Sequence, residues 1–358
     1  MEILIKFILS FGILFIMLNI GGLLTWVERK QSAVMQDRIG ANRASIFGLR
    51  LFGLFHPLAD ALKMISKEDF IPNGANKVLF NLAPFLSVVF ALVGFAAIPF
   101  GDRLILGDRV IELQAANINV ALLYVFAMMS MGIYGVVLAG FSSNNNYAFL
   151  GGMRGAAQMI AYEITMGVAI MGVVMVFGTV DLQQLVRGQG AYLFNGWLPK
   201  WGIFVQPLAF LLFLTAATAE TKRIPFDLPE GESEIIGYFV EYSGMKFGMF
   251  FMADLVESVL VSALMTTLFL GGWQIPYLAP NGFHFPWGGE MLLPHLTVVG
   301  LGILSFFLKL CFFIWLLMAV RWTLPRFRYD QLMHLGWKIL LPASLVNIAV
   351  TAVVLVIR

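Results

Sequence analysis

Residues 220–243 read ETKRIPFDLPEGESEIIGYFVEYS and hold six carboxylates: Glu220, Asp227, Glu230, Glu232, Glu234 and Glu241. Only Lys222 and Arg223 balance them. Acids crowded in this way, or held away from water, exchange protons near neutral pH, so the chemistry they suggest is proton transfer. A second set stands inside apolar runs. Glu163 lies in AAQMIAYEITMGVAIMG, Asp254 and Glu257 in FFMADLVESVLVSALMTT, and Lys309 in LSFFLKLCFFIWLLM. Asp254 and Glu257, three apart, share one helical face. Ionisable groups in such runs are costly and mark function by default. Three acids face one base, so complete pairing among them is impossible. A buried proton path is the sharper reading; salt bridges that fix helix packing are the plainer one.

Glu220 adds an argument from sign. It closes an apolar run, where the helix dipole favours cations, so Lys222 and Arg223 suit the local field and Glu220 opposes it. Beyond it, Pro225 and Pro229 stop the helix, and Asp227-x-x-Glu230 has the spacing of a capping box for a new one. A helix over 230–242 would put Glu230, Glu234, Gly237 and Glu241 on one stripe, with Glu232 pointing elsewhere. That stripe is either an acidic groove or an acidic surface that docks a soluble subunit.

These residues are positioned by a chain that cannot be a soluble domain. Its 358 residues are 59% hydrophobic and 12% charged, with mean hydropathy +0.85. Runs of about twenty apolar residues are each long enough to cross roughly 30 Å of hydrocarbon as helices. About eight such spans are expected, at 3–27, 78–100, 118–141, 157–180, 203–220, 245–271, 295–321 and 336–357. The class is therefore an all-α polytopic membrane protein, a single integral domain over 1–358. The first run is too long for a signal-peptide core and reads as a retained span. Large connections are expected at about 28–77, 142–156, 221–244 and 322–335. Sixteen of the 23 lysines and arginines fall on their side of the membrane, which makes that side cytoplasmic and puts both termini outside.

Other functions are excluded by composition. A net charge of +2 does not suggest nucleic acid. Cys311 is the only cysteine, and His56, His284, His295 and His334 fall in connections or at span ends, so no metal site or redox centre is expected in the chain. Within the first connection, FGLRLFGLFHPLADALKMISKE is apolar but punctuated and reads as a helix lying along the interface. Just beyond span 1, WVERKQSAVMQDRIGANR supplies Glu28, Arg29, Lys30, Arg38 and Arg43. Positive-inside anchoring explains most of these cations but neither Glu28 nor Asp60. RLILGDRVIEL alternates around Gly107-Asp108 as a hairpin would.

Five blocks in order carry a resemblance: ERK with QDRIGANR, PLADALKMISKED, MRGAAQMIAYE, AETKRIPFDLPEGESEIIGYFVEYS, and LPRFRYDQLMHLGWKILLP. The chain resembles, nearly end to end, the H-type membrane subunit of respiratory complex I (NADH:quinone oxidoreductase), the bacterial counterpart of mitochondrial subunit 1. The resemblance implies a quinone-binding, non-redox subunit at the junction of the membrane and peripheral arms, in the bacterial inner membrane. Quinone would be the substrate, ubiquinone or menaquinone, and FMN and iron–sulfur clusters would lie in partner subunits. Chamber and loop residues carried over to matching positions are Arg29, Arg38, Asp60, Phe226, Asp227, Glu230, Glu232 and Glu234. Glu163, Glu220, Glu241 and Asp254 would belong to the proton-coupling path, to which their own placement adds Glu257 and Lys309.

Two positions depart from the family pattern. Gly40-Ala41-Asn42 stands where the family has Gly-Pro-Asn, releasing φ at 41. Ala253-Asp254-Leu255 stands where it has Ala-Glu-Tyr, so Asp254 is one carbon shorter, and Glu257 on the same face would restore the lost reach. The alternatives are the equivalent subunit of a membrane-bound hydrogenase or ferredoxin-fed relative, and a stand-alone ion transporter.

Overall fold

The computed structural model describes residues 2–107, 109–193, 196–231, 235 and 237–357. Helix α1 (Glu2–Met35) is followed by an extended stretch and the short α2 (His56–Ser66). Asn76 opens α3 (Lys77–Val93) by accepting from the amides of Val78 and Leu79, and a 3-10 turn extends it to Ala97. Strands β1 (Arg103–Leu106) and β2 (Arg109–Glu112) then form the expected hairpin, with Arg103 opposite Glu112. Helix α4 (Ala121–Ser142) turns within three residues into α5 (Asn146–Phe177). After α6 (Leu182–Gly188) come β3 (Tyr192–Leu193) and β4 (Leu198–Pro199), α7 (Gly202–Val205) and α8 (Pro207–Glu220). Helix α9 (Gly244–Phe269) leads into the small antiparallel sheet β5 (Leu278–Ala279), β6 (Gly282–His284) and β7 (Glu290–Leu292). The chain closes with α10 (His295–Thr323), α11 (Tyr329–His334), a π-helical turn (Leu335–Leu340) and α12 (Leu341–Ile357).

Among the described residues, seven helical segments are long and apolar enough to cross a membrane, which makes this an integral membrane protein of the expected all-α class. The eighth expected span, 203–220, is broken. Gln206 interrupts it, and the fourteen residues of α8 alone would reach only about 21 Å. The break is tied down inside the bundle, where Gln206 donates to the Thr351 hydroxyl at 2.8 Å and accepts from Asn347 at 3.1 Å.

Two expected boundaries shift. Helix α1 runs on through Glu28 and Arg29 instead of ending at residue 27. Most of the expected connection 142–156 is the first part of α5, started by Asn145, whose side chain accepts from the Tyr147 amide. Of its glycines, Gly151 and Gly152 face neighbouring backbone closely and Gly155 faces the side chains of Pro229 and Val136, so these three serve packing, which overrides their low helix propensity. Helix α9 is the centre of the bundle: every residue from Ala253 to Phe269 is buried, and it packs against α1, α3 and α10.

Candidate functional site

The segment between α8 and α9 is not a helix among its described residues, so the expected helix over 230–242 and its acidic stripe do not form. Pro229 and Gly231 flank Glu230, and Gly237 takes φ 111°, a left-handed value that a helix excludes. Asp227 caps nothing; it pairs with Arg326 at 2.8 Å. The chain instead lies as a loop pressed onto the end of the bundle.

The loop is fixed at its start by Lys222. This residue takes a left-handed φ of 52°, a conformation that costs a non-glycine residue about 1–2 kcal/mol and persists only where its surroundings enforce it. The turn sends its buried ammonium to α9, 2.7 Å from Asp254 and 3.8 Å from Glu257. Burial opposes the charge on Lys222, but Asp254, Tyr238 and Glu257 together hold the group protonated, well above the ordinary lysine value. Small cavities of about 30 and about 20 Å³ flank it, the first lined by Arg223, Asp227, Glu230, Asp254 and Arg321, the second by Ser87, Met159 and Glu257. Each has room for about one water molecule.

Further ion pairs surround this centre. Glu28 of α1 is buried between Arg223, at 3.5 Å, and Arg321 of α10, which it meets in close contact. Burial pushes the Asp227 carboxyl up from 3.8 to about 6 against the pull of Arg326 and Arg321. Burial, and then the charge of Asp254, push Glu230 well above the usual carboxylate range. Glu230 and Asp254 line the same small cavity beside Lys222. The arrangement therefore places a carboxyl that burial holds toward its neutral form beside Lys222.

Uncharged contacts complete the attachment. Phe226 stacks on Phe327, with centroids 5.4 Å apart, and lies 5.9 Å from the ring of Tyr162. Gln158 of α5, fully buried, donates to the carbonyls of Ala219 and Phe226 at 2.7 and 2.8 Å. Tyr242 stacks on Phe80 of α3 at 3.9 Å. Gly151 and Gly155 let the loop lie directly on α5. A Cβ at the first would stand 3.2 Å from the backbone of Gly237 and Tyr238, and at the second 3.2 Å from Pro229.

The other expected site residues fall in different places. Glu220 is fully buried, and neither of its oxygens meets a hydrogen-bond donor among the described residues. Its charged neighbours are Glu257, Glu163 and Lys222. Glu163 accepts a close hydrogen bond from Ser130 and lines an open apolar groove of about 290 Å³ on α4 and α5. Glu241 lies apart from Lys222's partners and accepts from Asn145 at the start of α5, at 2.7 Å. Arg29 pairs with Asp60 at 2.7 Å, tying α1 to α2, and Arg38 donates to Gln36 at 2.8 Å. Lys309 does not join the acids. It donates to the carbonyls of Leu270, Gly272 and Gln274 beyond the far end of α9. Glu232 and Glu234 lie outside the described residues.

Several residues of the cluster were not singled out by sequence. Lys222 and Arg223 look like counterions to the acid run, and Arg321 and Arg326 like anchors, because only folding brings them together. Gln158 and Tyr238 carry no signal of their own within apolar runs. Glu28 did carry one, since anchoring left it unexplained.

The fold and the cluster define a class: polytopic helical membrane proteins in which a loop on one end of the bundle is joined, through buried ion pairs, to acids within the spans. The chain belongs to the NADH dehydrogenase family, whose profile matches residues 8–352. Its relatives include H subunits of NADH-quinone oxidoreductases. It is 45% identical over 328 residues to the first H subunit of Cytophaga hutchinsonii, covering 91% of this chain and 90% of that one. It is 45% identical over 334 residues to the H subunit of Flavobacterium psychrophilum, covering 93% and 92%. With the H subunit of Thermomicrobium roseum it shares 43% over 356 residues, covering 99% and 96%.

Proposed function

We propose that this chain is the quinone-binding, non-redox membrane subunit of a proton-translocating NADH:quinone oxidoreductase in the bacterial inner membrane, with both termini outside. In this reading it forms part of the quinone chamber with peripheral subunits that carry the FMN and iron–sulfur clusters. Arg29, Arg38, Asp60, Phe226, Asp227, Glu230, Glu232 and Glu234 line the chamber and its mouth. The observation that carries the proposal is the contact between the loop and α9: Lys222 on the loop side meets Asp254 and Glu257 on the helix side, and Glu230 lines the same small cavity as Asp254.

Reducing a quinone to a quinol takes up two protons and changes the charge beside the loop. Glu230, pushed up by burial beside Asp254, responds by releasing or accepting a proton, and Lys222 redistributes between Asp254 and Glu257. Glu257, Glu220 and Glu163 continue the acids from the cluster toward α4, in the direction of neighbouring membrane-arm subunits. Glu241, held by Asn145, couples the far end of the loop to the start of α5.

Tagging the chain at its native locus and identifying what co-purifies in mild detergent tests the proposal. A large assembly with flavin, iron–sulfur clusters and NADH:quinone activity is the expected result. A nickel–iron subunit in place of the flavin one assigns the chain to a hydrogenase, and recovery of a functional chain alone assigns it to a transporter.

A further inference from the structure

The centre of α9 carries a line of hydroxyls. Ser258 donates to the backbone carbonyl of Asp254, Ser262 to that of Ser258, and Thr266 to that of Ser262, each at 2.8–2.9 Å. All three are buried, Ser262 and Thr266 completely. Four-residue spacing sets successive hydroxyls on one face of the helix, about 6 Å apart along its axis, and each, after donating to the backbone, keeps lone pairs free to accept. The line starts at the acids beside Lys222 and advances about 18 Å to Thr266. There the Gly272 amide donates to the Thr266 carbonyl at 2.8 Å, and the Gly272 carbonyl accepts from Lys309 at 2.9 Å.

Lys309 closes this line from the opposite side. Its ammonium also donates to the carbonyls of Leu270 and Gln274 at 2.8 and 2.6 Å and sits 4.5 Å above the Trp201 ring. The cage is recessed. Lys309 is fourteen residues from the start of α10, about 21 Å along the axis, so the end of α9 stops well inside the bundle. Non-helical backbone at such depth is tolerated only where protein covers it or a cavity opens onto it. A cavity of about 190 Å³ does open there, lined by Trp201, Trp273, Gln274, His295 and Gly302. Trp273 Nε1 and Gln274 Oε1 are buried and meet no partner among the described residues, so the cavity has both the polar groups and the room to take water. Trp201 and Gln274 belong to the cavity wall and to the cage alike.

We propose that Lys309 is an electrostatic plug: its ammonium, held by the three carbonyls, stands between a wettable vestibule and the hydroxyl line of α9, and keeps protons and small cations from crossing to the acid cluster. Three carbonyls alone would attract a cation. An ammonium already bound to them leaves no vacant site and repels the next positive charge. The three carbonyls also explain why this base needs no acid partner. The inference goes beyond the coupling proposed above and does not depend on quinone chemistry.

The test reads passive proton conductance of liposomes holding the purified assembly that contains this chain, under an imposed potassium diffusion potential, with no NADH or quinone. Lys309→Gln and Lys309→Met are expected to raise conductance at least about tenfold, while Lys309→Arg stays near wild type. Adding Ser262→Leu to Lys309→Gln should abolish the leak. A residue that only caps α9 would lose stability as Gln or Met without leaking, so wild-type conductance in assembled neutral variants overturns the proposal. Hydroxyl-radical labelling of the wild-type assembly decides the matter where neutral variants assemble poorly. Trp273 labelled with Met265 protected is the expected pattern; a protected Trp273 or a labelled Met265 overturns the plug. Failure of the coupling reading would leave both measurements unchanged.

Discussion

Lys222 on the loop and Asp254 on α9 approach to 2.7 Å in a site from which both are almost withdrawn from solvent. The bond joins a segment that follows one helix to the middle of another, thirty-two residues on. It ties the loop directly to the buried centre of the bundle.

Removing Lys222 should therefore be severe. Lys222→Met leaves Asp254 and Glu257 buried without their cation, a loss of about 3–5 kcal/mol by analogy with other broken buried pairs. Reduced amounts of the chain in membranes and a lower Tm of the purified assembly are expected. Lys222→Arg keeps the charge and should recover part of both. Normal accumulation of the Met variant would show that the pair contributes little.

Asp254 and Glu257 are unequal. The sequence suggests that Glu257 restores reach lost at the shorter Asp254, yet Asp254 makes the contact at 2.7 Å and Glu257 stands off at 3.8 Å. Asp254→Asn should lower proton pumping more than Glu257→Gln, with both below wild type. Pumping at the wild-type rate in Glu257→Gln would remove that residue from the path.

Asp227 sets a pH dependence. Its folded value of about 6 lies above the ordinary 3.8, so the folded chain holds this proton more tightly than the unfolded chain does. The associated stability is full below about pH 4 and is lost as the pH rises through about 6, up to about 3 kcal/mol. Asp227→Asn cannot ionise, so it should lack that part of the fall in Tm between about pH 4 and 6. Parallel Tm curves for the two proteins would exclude Asp227 from the titrating groups.

Gln158 ties the loop to α5 through two buried bonds. Gln158→Leu should leave the carbonyls of Ala219 and Phe226 without this donor, costing about 1–3 kcal/mol. Amide hydrogen exchange should rise at least about fivefold in peptides covering 221–243, with little change in α9. Unchanged exchange there would mean that the stacking of Phe226 on Phe327 suffices.

Much of the fold was legible because long apolar runs have few alternatives: seven helices long enough to cross a membrane, the hairpin at 103–112 and the short helix α2 follow from periodicity and turn residues. The misreadings have local causes. Glycines and asparagines around 144–155 resemble a connection until packing shows that the glycines serve contact. The spacing of Glu230, Glu234 and Glu241 fits a helix, but Gly237 and the prolines decide the backbone. Of the site, the acids were visible as charges in apolar surroundings. Their partners were not, since Arg321 comes from nearly three hundred residues beyond Glu28, and no spacing rule reports such a pair.

The glycine contacts on α5 have a mechanical meaning. With Gly151 against the backbone of Gly237 and Tyr238, and Gly155 against the Pro229 ring, the loop has little clearance to slide across that helix, so a shift of the loop loads the helix. Helix α5 spans thirty-two residues, about 48 Å, so a tilt of about 2° sweeps its end through about 1.7 Å. That stroke is comparable with the difference between a made and a broken ion pair. A protein seated against the Phe177 end of α5 would feel the state of the loop as leverage, with no relay of side chains in between.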